Sequence, residues 1–263
     1  MSALDPDLAR YFAELGTMFA PLPADPTPLE RRSRYWTLCA LGKTALPSTV
    51  TMNDVVLELE AGRVPVRLFY GHDGSDEPVP TIIYFHGGGW VVGDADTHTV
   101  TCARLAHEAN ALVVSVDYPL APEAHWSTIT DACFQAASAI AADRNAQEAG
   151  TPVALAGDSA GAHLAAVTAI RARDEGNFHV ALQALIYPTI EPTYGTESYE
   201  TFAAGPGLTR ADMQWYWKQF VGDDHAVNDY RVAPSRAASH AGLPPAYVIT
   251  AGRDPLRDEG VNY

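Results

Sequence analysis

The sequence is poor in lysine, and it has no long apolar run. Lys43 and Lys218 are the only lysines, and acidic residues outnumber basic ones to give a formal net charge of −15. Such a charge disfavours binding to nucleic acid and to anionic membrane surfaces. No stretch approaches the roughly 18 apolar residues that a membrane-spanning helix needs. We therefore expect neither a nucleic-acid partner nor stable membrane insertion.

Cysteine is also scarce. Cys39, Cys102 and Cys133 are odd in number, lie far apart and form no Cys-x-x-Cys pair. This disfavours a disulfide framework and a cysteine metal site, and it fits a reducing, cytoplasmic location. Cys102 and Cys133 fall in helical patterns, which indicates buried free thiols.

The order of apolar segments predicts the fold class. With 263 residues, 47% of them hydrophobic, the chain can bury one large core. From residue 81 onward, short apolar strands alternate with helical patterns: strands at 81–85, 111–117, 152–156, 181–187 and 246–251, and helices at 97–110, 127–142 and 160–173. This alternation predicts an α/β fold with a mostly parallel central sheet and helices on both faces.

The most informative motif is Gly157-Asp158-Ser159-Ala160-Gly161, directly after the apolar run 153–156. It matches the G-x-S-x-G nucleophile elbow, in which a strand reverses sharply into a helix with a strained serine at the apex. Residues two before and two after the serine must be small, because side chains there would collide across the turn. By itself the pattern also fits an ordinary strand-to-helix turn.

A second motif, His86-Gly87-Gly88-Gly89-Trp90, follows the apolar run 82–85. Consecutive glycines leave backbone N–H groups unshielded, and acyl transfer needs such donors where an oxygen becomes negative in the transition state. We predict that the amides of Gly87, Gly88 and Ala160 form this oxyanion hole, with Ser159 as the nucleophile. The two motifs together are much more specific than either alone.

The same glycines allow a nucleotide-binding interpretation. Gly87, Gly89 and Gly93 lie between a strand and a predicted helix, and the next strand ends in Asp117. However, the spacing is one residue longer than the dinucleotide fingerprint. Neither lysine lies four residues after a tyrosine, so the Tyr-x-x-x-Lys pair of short-chain dehydrogenases is absent. We therefore favour acyl transfer, which requires no metal and no cofactor.

With these motifs, the sequence resembles the hormone-sensitive-lipase-like family of α/β-hydrolases, in its bacterial branch with a Gly-Asp-Ser-Ala-Gly elbow. The matching segments are Tyr84–Trp90, Asp117–Glu123, Gly157–Gly161 and Asp254–Gly260. The resemblance implies an α/β-hydrolase fold with a small helical cap. It also implies that Asp254 is the acid of the catalytic triad.

The family's organisation divides the chain into a cap and a core. The resemblance implies an N-terminal cap region at 1–46 and a hydrolase core at 47–263, interrupted by a cap insertion at about 189–225. Four aromatic residues of that insertion either line an apolar substrate pocket or simply pack on the core: Phe202, Trp215, Tyr216 and Phe220.

The resemblance fails at the catalytic histidine, which the family places after the acid. Only residues 255–263 follow Asp254, and none of them is histidine. We therefore expect the fold's last strand and helix to be missing, the strand at 246–251 to be an exposed edge, and this chain to be nearly inactive. His98 and His225 lie in segments that could approach the cleft, but neither is assigned as the base.

The sequence thus predicts a carboxylic ester hydrolase that acts through a serine nucleophile and an acyl-enzyme. The expected partner is a small-molecule ester with short- to medium-length chains, and a homodimer is left open. The alternative is a non-catalytic protein that binds a small ligand on a hydrolase scaffold, for which fold analogy alone is a weak argument.

Overall fold

The computed structural model describes residues 4–23, 25–71, 78–147, 150–205, 207–223 and 226–263. In this part of the chain, seven strands form one sheet in the order β1-β2-β4-β3-β5-β6-β7. The strands are β1 (Val50–Leu59), β2 (Gly62–Gly71), β3 (Thr81–Phe85), β4 (Leu112–Val116), β5 (Val153–Asp158), β6 (Leu182–Ile186) and β7 (Ala246–Ile249). The β1–β2 hairpin joins β4 antiparallel, and the strands from β4 across to β7 are parallel. The predicted, mostly parallel sheet is confirmed.

Helices precede, connect and follow the strands. They are α1 (Pro6–Met18), α2 (Pro28–Leu41), α3 (Thr99–Ala109), α4 (Trp126–Gln147), α5 (Ala160–Glu175), α6 (Glu197–Thr201), α7 (Arg210–Val221) and α8 (Arg257–Asn262). Strand β3 shows how they cover both faces of the sheet. Ile83 and Phe85 pack into the larger core cluster with α4 and α5, whereas Tyr84 packs with α3. Because successive strand residues point to opposite faces, one apolar strand supplies both cores.

The two segments predicted to form a cap contact each other. Arg31 of α2 forms an ion pair of 2.9 Å with Asp212 of α7, and its guanidinium lies 4.3 Å from the centre of the Trp215 ring. Helix α7 begins with a capping box in which Thr209 and Asp212 bond to each other's backbone amides. None of the residues of α1 or α2 is fully buried.

Strand β7 is the edge of the described sheet on the side of β6. It is short and exposed, with Tyr247 63% and Ile249 42% accessible to solvent. This agrees with the predicted edge at 246–251. An apolar edge with unpaired N–H and C=O groups can pair with another chain.

We predict that Tyr247→Lys lowers self-association of the chain, because a charged side chain on an edge strand opposes edge-to-edge pairing. Light scattering coupled to size-exclusion chromatography should show a larger monomer fraction than for the parent. Tyr70→Lys is the matched control, since Tyr70 is 40% exposed but lies on β2, which has a partner on each side. An equal change in both variants, or none in Tyr247→Lys, would refute the prediction.

Candidate active site

The turn from β5 into α5 carries Ser159 at its apex. Its backbone has φ 53° and ψ −118°, a left-handed conformation that costs a non-glycine residue free energy. The Ser159 amide donates to the carbonyl of Ile186 at 2.8 Å, and its carbonyl accepts from the amide of His163 at 3.1 Å. These bonds tie the turn to β6 and to α5, and the strained elbow predicted from the sequence is present.

Glycine is needed on both sides of this turn because backbone meets backbone there. A Cβ on Gly161 would overlap the carbonyl of Phe85 and lie 2.6 Å from the carbonyl oxygen of His86. A Cβ on Gly157 would overlap the backbone of Gly161. The structure therefore confirms that these two positions must be small. The atoms that exclude a side chain include those at the end of β3.

The Asp158 carboxylate joins the elbow to the glycine motif. Its Oδ1 accepts from the Tyr84 hydroxyl at 2.7 Å and from the Gly87 amide at 2.9 Å, and it lies 3.5 Å from Nε2 of His98. Burial acts to raise the pKa of Asp158, but the bonds from His98, Tyr84 and Gly87 outweigh it and hold the pKa below its ordinary value. Asp158 is thus an ionised clamp on the loop.

This clamp corrects one of our predictions. The Gly87 amide already donates to Asp158, so it is not available to stabilise an oxyanion. Among the hydrogen bonds of the described residues, none uses the amide of Gly88 or Gly89, and both glycines line the same cavity as Ser159. Ala160 is the first residue of α5, where helix amides lack an intrahelical acceptor. Gly89, which the sequence analysis did not select, takes the place of Gly87 as a candidate donor.

Aromatic side chains at both ends of the glycine loop pack against neighbouring residues. His86 stacks on Tyr118 with ring centroids 4.2 Å apart, and the Tyr118 hydroxyl donates to the His86 carbonyl at 2.7 Å. Trp90 is fully buried and stacks on Phe220 of α7 at 4.2 Å. The loop is therefore fixed both to the core and to the α7 segment.

Asp254 lies in the turn after β7, as the resemblance implies. Its Oδ1 accepts from the amide of Leu256 at 2.9 Å, and burial raises its pKa. The segment after it is held by separate contacts, because the Ser198 hydroxyl donates to the Pro255 carbonyl at 2.7 Å and the Ser198 amide donates to Asp258 at 2.8 Å. The acid's position thus depends on α6.

Ser159 and Asp254 open onto one cavity of about 630 Å³. Most of its lining is apolar and comes from α1, the α6–α7 segment and the loops after the strands. The apolar and aromatic side chains that line it are Leu4, Leu8, Phe12, Tyr35, Tyr187, Phe202, Leu208, Met213, Tyr216 and Leu256. The candidate nucleophile, the candidate acid and the candidate oxyanion donors therefore line one mainly apolar cavity.

Comparison with known proteins agrees with this geometry. A family profile described as alpha/beta hydrolase fold matches residues 82–263. The chain is a hormone-sensitive-lipase-like α/β-hydrolase. It is 38% identical over 222 residues to the carboxylic ester hydrolase LipN of Mycobacterium tuberculosis, covering 81% of this chain and 58% of LipN. It is also 38% identical over 215 residues to the esterase LipI of the same organism, covering 80% of this chain and 67% of LipI.

A solved structure extends the likeness over the whole chain. The esterase of the hyperthermophilic archaeon Pyrobaculum calidifontis is 34% identical and superposes with a TM-score of 0.90. The match covers 100% of this chain and 84% of the archaeal one. This chain therefore spans little more than half the length of LipN and most of the length of the archaeal esterase.

Three of the described histidines, His86, His98 and His163, contact groups other than Ser159. The rings of His86 and His163 are buried, and burial lowers the pKa of each to about 4. His163 accepts from the Trp90 indole at 3.3 Å, and its other ring nitrogen lies 3.1 Å from the carbonyl of Val232. His98 approaches the cleft as expected, but it contacts Asp158. His225 lies outside the described residues.

The aromatic residues of the insertion divide into two groups. Phe202 and Tyr216 line the cavity, which is one of the two alternatives left open by the sequence. Trp215 lies under Arg31, and Phe220 packs on Trp90, so these two stabilise the packing of α7. On α7, Trp215 and Tyr216 differ because residues one position apart face different directions.

Three further findings bear on the sequence predictions. The structure confirms that Cys102 and Cys133 are free and buried. Within the described ranges, no group of three or more His, Cys, Asp or Glu side chains could hold a metal ion. None of the helices in the described ranges is both long enough and apolar enough to cross a membrane.

We predict that Gly161→Ala destabilises the fold by on the order of 3 kcal/mol, because the new methyl group overlaps backbone that cannot move independently. Chemical denaturation should give this loss as a lower midpoint. Gly16→Ala in α1 is the matched control, since no atom lies within 4 Å of its added Cβ. That variant should be neutral or slightly stabilising, and similar effects in both variants would contradict the argument.

We also predict that Asp158→Asn costs about 1–3 kcal/mol of stability at neutral pH, the usual range for a bond to a charged group. The folded pKa of Asp158 is depressed. The ionised side chain therefore stabilises the fold at pH values above the unfolded-state pKa of about 3.9. This stabilisation is lost as the pH falls through the pKa of the folded state. Denaturation of both proteins between pH 3 and 7 should show the difference shrinking at the acid end.

The control for this variant is Asp174→Asn, because Asp174 is 49% exposed and pairs only with its neighbour Arg173 among the contacts described. That change should alter stability by less than about 0.5 kcal/mol. A pH-independent loss in Asp158→Asn would mean that its charge is not the stabilising feature.

Proposed function

We propose that this chain carries the nucleophile, the acid and the oxyanion donors of a serine carboxylic ester hydrolase. One observation carries the proposal: Ser159 sits at the apex of the elbow, in the same cavity as Gly88 and Gly89, whose amides form no bond among the described residues. Such an arrangement suits the tetrahedral, negatively charged intermediate of acyl transfer. The names of LipN and LipI agree with it.

The proposed reaction has two stages. The Ser159 hydroxyl attacks the ester carbonyl while a base accepts its proton, and the amides of Gly88, Gly89 and Ala160 stabilise the oxyanion. The intermediate collapses to an acyl-enzyme and an alcohol, and water then releases the carboxylic acid. Asp254 would orient a histidine acting as that base.

The cavity suggests the class of ester. Its wall near α1 and α7 is apolar and includes Phe12, Phe202 and Tyr216. We propose short- to medium-chain esters as substrates, with residues 1–46 and about 189–225 acting as the cap that selects them. The cytoplasmic location stays a prediction from cysteine usage.

The activity that this chain would have depends on a proton acceptor for Ser159. No hydrogen bond in the described part of the molecule joins a histidine ring to Ser159. Removal of the base in a serine hydrolase can lower turnover on the order of a millionfold. We therefore propose that the chain alone is nearly inert, and this same observation favours, as a second candidate, a non-catalytic protein that binds a small ester or acid.

We predict that a fluorophosphonate probe labels Ser159 slowly and that Ser159→Ala abolishes the labelling. Intact-mass spectrometry follows the labelling, and release of p-nitrophenol from a short-chain ester follows turnover. Turnover should stay near the level that an oxyanion hole alone provides, roughly 10³–10⁴ over water.

Three outcomes separate the candidates. Slow labelling that is lost in Ser159→Ala supports the hydrolase site. Stoichiometric binding of an ester without any labelling supports the non-catalytic protein. Turnover within tenfold of an ordinary esterase would show that another group in this chain serves as the base.

A further inference from the structure

A buried histidine lies behind the glycine loop and takes no part in the proposed reaction. His98 is the residue before α3, is 6% exposed and is not among the residues that line the cavity. The centre of its ring lies 5.4 Å from that of His86, 6.3 Å from that of Tyr84 and 6.5 Å from that of Tyr35. Because the ring is enclosed, both of its nitrogens need partners within the protein.

The partner of Nδ1 decides the first proton. Nδ1 of His98 lies 3.0 Å from the Thr97 hydroxyl. That hydroxyl donates to the carbonyl of Asp94 at 2.8 Å and accepts from the amide of Asp94 at 2.9 Å. A hydroxyl has a single proton to donate. Thr97 has therefore none left for the ring, and Nδ1 of His98 is the donor of this bond.

The partner of Nε2 decides the second proton. Nε2 of His98 lies 3.5 Å from Oδ1 of Asp158, whose carboxylate is ionised. An ionised carboxylate only accepts hydrogen bonds. A bare lone pair on Nε2 would face this negative charge, so the nitrogen must carry a proton as well. With a proton on both nitrogens, the imidazole is a cation.

The neighbouring groups also fit a charged ring. The pair with His98 is the only ion pair of Asp158 in the described part of the chain, and a buried carboxylate without a cation is costly. Burial, followed by the charge of His98, lowers the pKa of His86 to about 4, so the second imidazole stays neutral. Burial raises the pKa of both Tyr35 and Tyr84, so their hydroxyls stay protonated. His98 is thus the source of positive charge for Asp158.

We propose that His98 is a positioning residue: with a proton on each ring nitrogen, it holds Asp158 in the orientation that binds the Gly87 amide. That bond of 2.9 Å anchors the start of the glycine loop. The amides of Gly88 and Gly89 come directly after the anchored point, so their place beside the elbow depends on it. The inference rests on the proposed function, since it assumes that these two amides stabilise an oxyanion.

The charge on His98 is tested on the unmodified full chain. Nitrogen-15 NMR of the histidine-labelled protein at pH 7, with signals assigned through the backbone, shows which ring nitrogens carry a proton. We expect both nitrogens of His98 to be protonated, whereas the neutral ring of His86 should have one bare nitrogen and serve as the internal reference. A bare nitrogen on His98 would overturn the proposal, whatever the chain does to esters.

The variant His98→Gln removes the charge and tests the positioning role. The maximal rate at which a fluorophosphonate modifies Ser159 is measured separately from the probe concentration that gives half of that rate. We expect the maximal rate to fall about tenfold, less than the roughly 10²–10³-fold that loss of a whole oxyanion donor costs. The half-saturating concentration should change less than about twofold, because the donors act on the transition state more than on the bound probe.

A second signature needs no reaction. The Gly87 amide proton should move upfield in the backbone NMR spectrum of His98→Gln, because its bond to Asp158 weakens. Asp158→Asn should lower the maximal rate of modification to a similar extent. The double variant should lose no more than either single variant, because members of one hydrogen-bond network do not contribute additively.

The matched control is His107→Gln. His107 is an exposed histidine of α3 that bonds to the Thr49 hydroxyl and lies outside the cavity. This change should leave the maximal rate and the Gly87 amide signal as they are in the parent.

An unchanged maximal rate or an unmoved Gly87 signal in His98→Gln, additive losses in the double variant, or an equal loss in His107→Gln would overturn the positioning role. Absence of any labelling in the parent would instead refute the proposed function. The nitrogen spectra and the Gly87 signal would then still decide whether His98 is charged and holds the loop, so the two failures are distinguishable.

Discussion

The site depends on one close approach of backbone to backbone, between the end of β3 and the start of α5. Gly161 leaves no room for a side chain against the carbonyls of Phe85 and His86. This contact brings the glycine loop beside the elbow, so that amides from two different segments of the chain face the same cavity. Catalysis of acyl transfer needs donors fixed before the reaction, and rigid backbone fixes them without loss of side-chain entropy.

Charge and aromatic packing then hold the loop in this position. Asp158 bonds to the loop from the elbow side, and Trp90 anchors it to α7 through Phe220. Arg32 of α2 adds a third attachment, since its guanidinium donates to the carbonyls of Val91 at 2.7 Å and Ala121 at 3.0 Å. Helices α2 and α7, which line part of the cavity, thus also hold the glycine loop beside Ser159.

Local constraints made much of this predictable from the sequence. Short sequence patterns predicted the elbow, the mostly parallel sheet and the turn that holds Asp254. Each of these features depends on neighbours in the chain or on the end of a strand. Gly87 was wrongly predicted to be an oxyanion donor. The sequence does not show where the Asp158 carboxylate points, because its direction depends on tertiary packing. Likewise, the different roles of Tyr216 and Phe220 depend on how α7 packs on the core. The clamp of Tyr84 and His98 on Asp158 left no recognisable spacing in the sequence.

The segment after Asp254 is tied to the segment after β6. Asp254 is followed by Glu259, whose buried carboxylate accepts from the amides of Ile190 at 2.8 Å and Glu191 at 2.9 Å. Those amides lie just after Thr189, whose own amide approaches the Ser159 carbonyl at 3.5 Å. Residues 189–191 therefore connect the turn at Ser159 to the segment that follows Asp254, so the relative positions of the candidate nucleophile and the candidate acid depend on this short stretch after β6.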